Sequence, residues 1–371
     1  MGSRNCGAGA CSYESFDAHR SLVVTSVQIA ICGWHRLVSK KLSMQKTQNP
    51  PVPPSPVVSL TFATSDSFGE FLRHAQGEIM QTEAGDGLWK MLIADLAGTA
   101  IQHGRSGAGA IGRGLSSPSH LTFLIPWLRL KPHFYQGLQM QPGNLAIYGP
   151  GVEFFGHSAS AHDFTVVPVD LQTADVIARS LLNEDGAHLM RGFQAVPLRP
   201  ERVQKLVRIL EEIELLASQV PHPDMTDETL RVIRDSLLDT LFLGWLEQLS
   251  HKVERLPTLS ERAIKIRAIE DYLMDHRRQN VTQGELCAVA KASARTLAYI
   301  FNELVGMPPL RFLKLRRMHR ARWLLRSRVF ASVKSVALEC GFWEFGRFSI
   351  EYRRLFGESP SQTIHDSRTG I

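Results

Sequence analysis

This chain of 371 residues is short of the features that would mark a secreted, membrane-spanning or metal-dependent protein. It has only five cysteines, and Cys6, Cys11 and Cys32 show no CxxC ligand spacing, so neither a disulfide framework nor a zinc site is indicated. A reducing cytoplasm is the expected compartment. The apolar run from Ser21 to Trp34 follows basic residues, as a signal peptide does, but it is too short to cross a bilayer and has no clean small-x-small cleavage site. No membrane partner is therefore expected. Between 57 and 200 there is no H-x-H pair; His133, His157, His162 and His188 are scattered, so no metal or other cofactor is expected. The glycine-rich stretch from His103 to Gly109 is not followed by GK[ST], which favours a flexible turn over a phosphate cradle.

What the chain does have is charge in one place. The net charge is +6, yet from Arg262 onward there are 20 Lys+Arg against 10 Asp+Glu, so the last 110 residues carry +10 and the rest −4. A basic domain joined to a mildly acidic one suggests a polyanion as partner of the basic part. Hydrophobic content of 44% is ordinary for a globular chain, and the length suits two or three domains.

The same C-terminal part contains one pattern written twice. At an offset of 51, Leu297 matches Phe348, Phe301 matches Tyr352, Leu304 matches Leu355, Gly306 matches Gly357 and Pro309 matches Pro360. Each copy follows a short helix and a turn. Thr282-Gln-Gly-Glu285 is a capping box, Leu286, Val289 and Ala290 form an apolar face, Lys291-Ala292 is the turn, and Ser293 caps the next helix. In the second copy Val333, Val336, Ala337 and Cys340 form the face and Gly341 the turn. Helix, tight turn and helix is the unit that sets its second helix in a DNA major groove. Cys287 and Cys340 occupy nearly the same slot of the two units and read as small core residues.

On these residues, and on Arg317-Met-His-Arg-Ala321, Leu324-Leu325, Cys340-Gly-Phe342 and Phe356-Gly-Glu-Ser-Pro360, the stretch 265–367 resembles the tandem helix-turn-helix domain of AraC/XylS transcription regulators. Its ending also looks like that of regulators of ethanolamine utilisation. Two departures stand out: Lys291 replaces a frequent glycine, and Tyr352 replaces the usual phenylalanine, so its hydroxyl needs a partner. The resemblance implies double-stranded DNA as partner, a small-molecule effector, RNA polymerase if the protein activates, and no catalysis. It also implies base contacts on the exposed faces of the two recognition helices: Arg295, Ala298 and Tyr299 in the first, Phe345, Gly346, Ser349 and Ile350 in the second. Thr296, Arg347, Arg353 and Arg354 are placed for the DNA backbone. Arg295 suits a bidentate bond to guanine, while Ala298 and Ile350 suit thymine methyls. Eight Lys/Arg and no acid lie between Arg311 and Arg328, on the helix joining the repeats, where several are expected near phosphates.

Upstream, 1–56 is proline-rich towards its end and reads as a dispensable extension. Residues 57–200 have the texture of strands, as in Val57–Phe62, Leu121–Ile125, Leu145–Tyr148 and Phe164–Val169, and the resemblance implies a cupin-like sensor domain. Trp127, Phe134, Tyr148, Phe154 and Phe155, with Tyr135, are candidates for an effector pocket there, or simply core. Residues 201–250 read as two amphipathic connecting helices, which fill their own domain or form a homodimer contact; 251–260 is a linker; 261–371 is the DNA-binding domain. The fold class is thus α+β and multidomain: a β-rich sensor, connecting helices, and an all-α domain of two helix-turn-helix units on one long helix. The rival readings are a cupin-type enzyme with a DNA-binding tail, and a DNA binder with no ligand.

Overall fold

The computed structural model describes residues 57–85, 88–127, 133–182, 190–218, 226–250, 261–276, 280–327, 330 and 332–369. The extension 1–56 and the linker 251–260 lie outside the described residues. Among these residues no helix is long and apolar enough to cross a membrane.

Two antiparallel sheets form the first domain. Its strands are β1 (Val57–Phe62), β2 (Ala75–Gln81), β3 (Trp89–Leu96), β4 (Thr99–Arg105), β5 (Ala110–Ser116), β6 (His120–Trp127), β7 (His133–Tyr135), β8 (Leu138–Met140), β9 (Asn144–Tyr148), β10 (Glu153–Ser158), β11 (Asp163–Asp170) and β12 (Phe193–Pro197). One sheet has the order β1-β3-β4-β11-β6-β9-β12, the other β2-β5-β10-β7-β8. Strand alternation divides the larger sheet cleanly. In β3, Trp89, Met91 and Ile93 face the second sheet and pack with Phe68 and Phe164, whereas Leu92, Ala94 and Leu96 face the other way. The stretch from His103 to Gly109 is the end of β4 and the loop into β5.

That other face is covered by helices α2 (Leu171–Leu182), α3 (Pro200–Ser218) and α4 (Asp227–Ser250); a short α1 (Ser65–Glu70) follows β1. The stripe Leu206, Ile209, Leu210 and Ile213 of α3 and the stripe Leu230, Ile233, Leu237, Leu241 and Trp245 of α4 share one buried cluster with Leu121, Phe123, Ile125 and Val167. The indole of Trp245 donates to Gln194 Oε1 at 2.9 Å. Both stripes expected in 201–250 are therefore consumed by their own sheet, each fully buried aliphatic side chain stabilising by ~1.5–3 kcal/mol. A dimer contact in this region would have to use outward residues such as Val207, Leu215 and Val232.

The C-terminal domain comprises α5 (Glu261–Asp275), α6 (Gln283–Ala290), α7 (Ala294–Leu304), α8 (Pro309–Ser327), α9 (Val333–Glu339), α10 (Phe345–Phe356) and α11 (Pro360–Thr369). Helix α8 serves two cores. Phe312, Leu313 and Leu315 pack with Ile266, Ile269, Leu286, Leu297, Ile300 and Phe301, while Met318, Ala321, Leu324 and Leu325 pack with Val336, Ala337, Phe348 and Tyr352. On α5, Ile266, Ile269 and Leu273 are buried while Ile264 is exposed.

The domains are docked, not merely tethered. Met80, Ile111 and Phe155, on the outer face of the five-stranded sheet, are part of the first helix-turn-helix core. Around them Arg113 pairs with Glu78 at 2.8 Å, and Arg322 of α8, almost wholly buried, bridges Asp66 at 3.1 Å and Glu358 at 3.0 Å. His319 Nε2 donates to the Gln81 carbonyl at 2.9 Å, and Gln81 Nε2 donates to the Leu355 carbonyl. The turn after α7 also meets the sheet. Gly306 has φ 73°, and a Cβ there would come 2.8 Å from His157 Cε1, so both conformation and contact demand glycine.

Candidate nucleic-acid interface

Each recognition helix is positioned by local capping and by a left-handed turn residue. Thr282 Oγ1 accepts from the Glu285 amide while Glu285 accepts from the Thr282 amide, the reciprocal box that starts α6. The chain then reverses at Lys291, which takes φ 47° and ψ 50°. A lysine makes the same turn that Gly341 makes in the second unit at φ 75°. Ser293 caps α7 by accepting from the Thr296 amide, and Ser332 caps α9 by accepting from Ser335. Helix α10 begins at Glu344 without a side-chain cap and ends at Gly357, φ 79°.

Burial then decides which face is presented. Helix α7 buries Leu297, Ile300, Phe301 and Leu304. Arg295, Thr296 and Tyr299 are consequently exposed and Ala298 half-buried, all on the expected side. Helix α10 buries Phe348 and Tyr352, leaving Gly346, Arg347, Ile350, Arg353 and Arg354 exposed and Phe345 and Ser349 half-buried. The Tyr352 hydroxyl finds a partner in Thr363 Oγ1 at 2.9 Å, which is how tyrosine is accommodated in that core. Tyr299 and Ile350 stand 57% and 71% exposed, and Trp343, just ahead of α10, stands at 77%, an aromatic the sequence pattern did not single out. Large apolar side chains this open are the feature to explain.

The charged residues separate into free and engaged. Arg295, Arg311, Arg353 and Arg354 are exposed and form no ion pair with a described residue. Arg347 is held on its own helix by Glu344 at 3.6 Å and Glu351 at 3.2 Å. Thr296 Oγ1 lies 2.9 Å from Ser293 Oγ, so its hydroxyl belongs to the cap. The basic run of α8 is mostly structural, contrary to the expectation of a phosphate-facing row. Lys314 pairs with Glu351 at 2.6 Å, Arg320 with Glu339, Arg322 with Asp66 and Glu358, and Arg326 with Asp66 at 3.5 Å. Arg316 donates to the Leu273 carbonyl at 3.2 Å and Arg317 to the Gly341 carbonyl at 3.5 Å. Only Arg311 of the described run remains unengaged, and Arg328 lies outside the described residues.

The five aromatic residues considered for an effector pocket do not share one. Trp127 lies on the helix-covered face and donates to Thr165 Oγ1 at 2.8 Å. Phe134 stacks on His157 at 4.5 Å, and Phe155 belongs to the domain interface. Only Tyr148 and Phe154, with Tyr135, meet between the sheets. Burial holds His133 and His157 at pKa values of about 4, and His162 at about 3, so all three are uncharged at neutral pH. Among the described residues no group of three His, Cys, Asp or Glu side chains could hold a metal ion.

Residues 286–366 match the protein-family model described as a helix-turn-helix domain. The chain is 33% identical over 121 residues to XylDLEGF operon transcriptional activator 3 of Pseudomonas putida, covering 32% of this chain and 36% of that protein. It is 37% identical over 164 residues to a probable thc operon regulatory protein of Rhodococcus erythropolis, covering 44% and 47%. A longer match, 23% identical over 264 residues and covering 70% and 79%, is to XylDLEGF operon transcriptional activator 1 of Pseudomonas putida. The chain thus spans between about a third and a half of the length of the first two relatives.

Proposed function

We propose that this chain, whose C-terminal domain is a tandem helix-turn-helix of the AraC/XylS type, is an effector-responsive, sequence-specific transcription regulator. The observation that carries the reading is the pair of equivalent recognition surfaces. Helices α7 and α10 bury matching residues into separate cores on one rigid helix and turn the intervening positions outward. Two such helices on one support fit successive major grooves on one side of a duplex, ~10 bp apart. Arg295, exposed and unpaired, is the guanine reader; Ala298 and Tyr299 complete the first surface. The second surface, made of Phe345, Gly346, Ser349 and Ile350 with Trp343 beside them, reads thymine methyls and groove shape in place of a polar code. Arg353 and Arg354 grip phosphate, and Thr296 and Arg347, towards the flanks of the two surfaces, meet the DNA backbone.

The docked β-domain supports the second half of the reading. A sensor that shares a core with the first helix-turn-helix unit has a physical route to the DNA-binding surface. Two of the three relatives are named as transcriptional activators, and activation through RNA polymerase is the matching role for this chain, in the cytoplasm and without catalysis. The first test is binding-site selection with the parent, Arg295→Ala and Arg354→Ala. Arg295→Ala should relax preference at one block of bases, at a cost of ~1–3 kcal/mol. Arg354→Ala should weaken all sequences alike and lower the salt slope by about one ion. The assignment fails if Arg295→Ala leaves the preferred sequence intact while Arg354→Ala changes it.

A further inference from the structure

A cleft of about 340 Å³ opens where the two helix-turn-helix units meet. Its lining comes from three elements: Thr282 at the start of α6, Leu310 and Arg317 of α8, and Gly341 with Trp343 just ahead of α10. The path of the chain places it. Helix α7 ends at Leu304, and Leu310 follows that end of the first recognition helix by six residues. Trp343 stands two residues before Phe345, where the second recognition helix begins. Both line the one cleft, which therefore occupies the interval between the two recognition surfaces.

Two properties of this lining call for a partner. Leu310 and Trp343 are large and apolar, yet 61% and 77% exposed. Arg317 is the only charged side chain lining the cleft among the described residues, and no described carboxylate pairs with it. Its guanidinium makes one long bond, 3.5 Å, to the Gly341 carbonyl and lies 5.3 Å from the centre of the Phe342 ring. Partial burial without a counter-charge holds its pKa below the usual arginine value. The carboxylates nearest the cleft in the chain are committed elsewhere, Glu285 to Thr282 and Tyr272, and Glu344 to Arg347.

A duplex supplies both missing partners. With recognition helices in successive major grooves on one side, ~10 bp apart, the minor groove faces the protein midway between them, a sugar-phosphate backbone along each edge. Deoxyribose offers apolar carbon surface, and phosphate offers negative charge. We propose that the cleft seats one of these central backbones, with Trp343 and Leu310 packed on deoxyribose and Arg317 facing the adjoining phosphate. This rests on the DNA-binding reading above and adds a contact region that neither recognition helix reaches. Such a contact adds affinity and fixes the register of the two surfaces but reads no base. The apolar pair selects a backbone over a free phosphate ion, which has nothing for Trp343 to cover.

The test uses the full chain on its selected operator. Hydroxyl-radical footprinting should show the parent protecting sugars midway between the two base blocks, and Trp343→Ala should lose that protection alone. Trp343→Ala should also lower affinity roughly tenfold on every sequence, the scale of one large apolar side chain left uncovered, without changing the bases selected. Trp343→Phe, which keeps a ring, should recover most of both. Leu310→Ala, at another exposed position, should weaken binding in the same uniform way. An operator with one neutral methylphosphonate at the central phosphate should bind the parent more weakly, and Arg317→Gln should not distinguish it from the unmodified duplex. The proposal is overturned if the centre is unprotected in the parent, if Trp343→Ala binds as tightly as the parent or selects different bases, or if Arg317→Gln still senses the neutral phosphate. It is equally overturned if inorganic phosphate alone shields Trp343 from acrylamide quenching as operator does. A parent that selects no base block refutes the DNA-binding reading itself, whereas intact selection with a bare centre refutes only the cleft.

Discussion

Replacing Glu270 with glutamine should stabilise the protein at alkaline pH and matter little in acid. Glu270 lies on α5 at the domain interface, where Arg113 and Glu78 face it from the sheet, Arg316 from α8, and Asp271 from its own helix. Its Oε1 is buried without a hydrogen bond. Burial is the largest influence and outweighs the two guanidinium groups, pushing the carboxyl from an ordinary value near 4.5 up to about 7. The folded chain therefore holds this proton more tightly than the unfolded one. The stability it contributes is complete below pH 4.5 and is lost as pH rises through 7.

A difference of about 2.5 pKa units at ~1.4 kcal/mol per unit sets the scale. Relative to a glutamine that never ionises, the carboxyl costs about 1 kcal/mol at pH 5 and about 3 kcal/mol at pH 8. Urea unfolding of both proteins across this range gives the gap directly, since His319 and the remaining titrating groups are common to the pair and cancel. The expected gap favours Glu270→Gln and widens by ~2 kcal/mol from pH 5 to pH 8. A gap that is flat, or that turns against the variant in alkali, would mean that Glu270 is ionised and bridging Arg113 and Arg316, and the reasoning from burial would fall.

The salt dependence of DNA binding should be moderate, because six cations of α8 are already engaged within the protein. With ~4–6 phosphate contacts left, log affinity should fall against log salt with a slope of about −4 to −5, and a slope near −9 would show that the α8 pairs open on DNA. A fragment beginning at Leu259 should bind DNA but melt well below the same domain in the full chain. It loses Met80, Ile111 and Phe155 from its first core, worth ~1.5–3 kcal/mol for each fully buried side chain; equal melting temperatures would refute that shared core. Lys291→Gly should stabilise by ~0.5–1 kcal/mol in chemical denaturation, as relief of ~1–2 kcal/mol of left-handed strain outweighs the extra freedom of an unfolded glycine. A destabilised variant would mean that the lysine side chain makes a contact of its own.

How far the sequence could be read followed from where its local rules held. The two helix-turn-helix units were legible to the residue because caps, turns and apolar spacing all pointed one way, and Thr282, Ser293 and Gly341 behave as their chemistry requires. The smaller sheet was not. Gly77 of β2 and Gly156 of β10 are poor strand formers, but they serve as seats for the Phe154 and Tyr135 rings contributed by other strands. The five aromatics were visible as a set, yet their facing depended on register: one residue separates Phe154, inside the sandwich, from Phe155, in the domain interface. The basic run of α8 misled for a related reason. A one-dimensional charge count cannot see Asp66, 256 positions before Arg322, at the other end of a salt bridge.

The same alternation links the two halves of the molecule. On β5, Ile111 and Arg113 face the DNA-binding domain, and Gly112 between them faces the other sheet. On β10, Phe155 and His157 face outward to the first helix-turn-helix core and to Gly306, while Phe154 and Gly156 face in. The inner face of the smaller sheet is thus one strand's thickness from the residues that hold α5 and α8. Helix α8 carries the cores of both units, so its placement sets the separation of the two recognition helices. A ligand alters DNA binding only to the extent that it favours one docking of this sheet over another. The half-satisfied contacts at the interface leave room for such a preference. Glu270 Oε1 and Arg113 Nη1 are both buried without partners on facing elements, so a small shift of β5 towards α5 would let them meet. Packed interfaces of this kind move between discrete arrangements rather than deform continuously. Coupling from ligand to DNA therefore needs no long pathway here, only a second register of one sheet face against one helix.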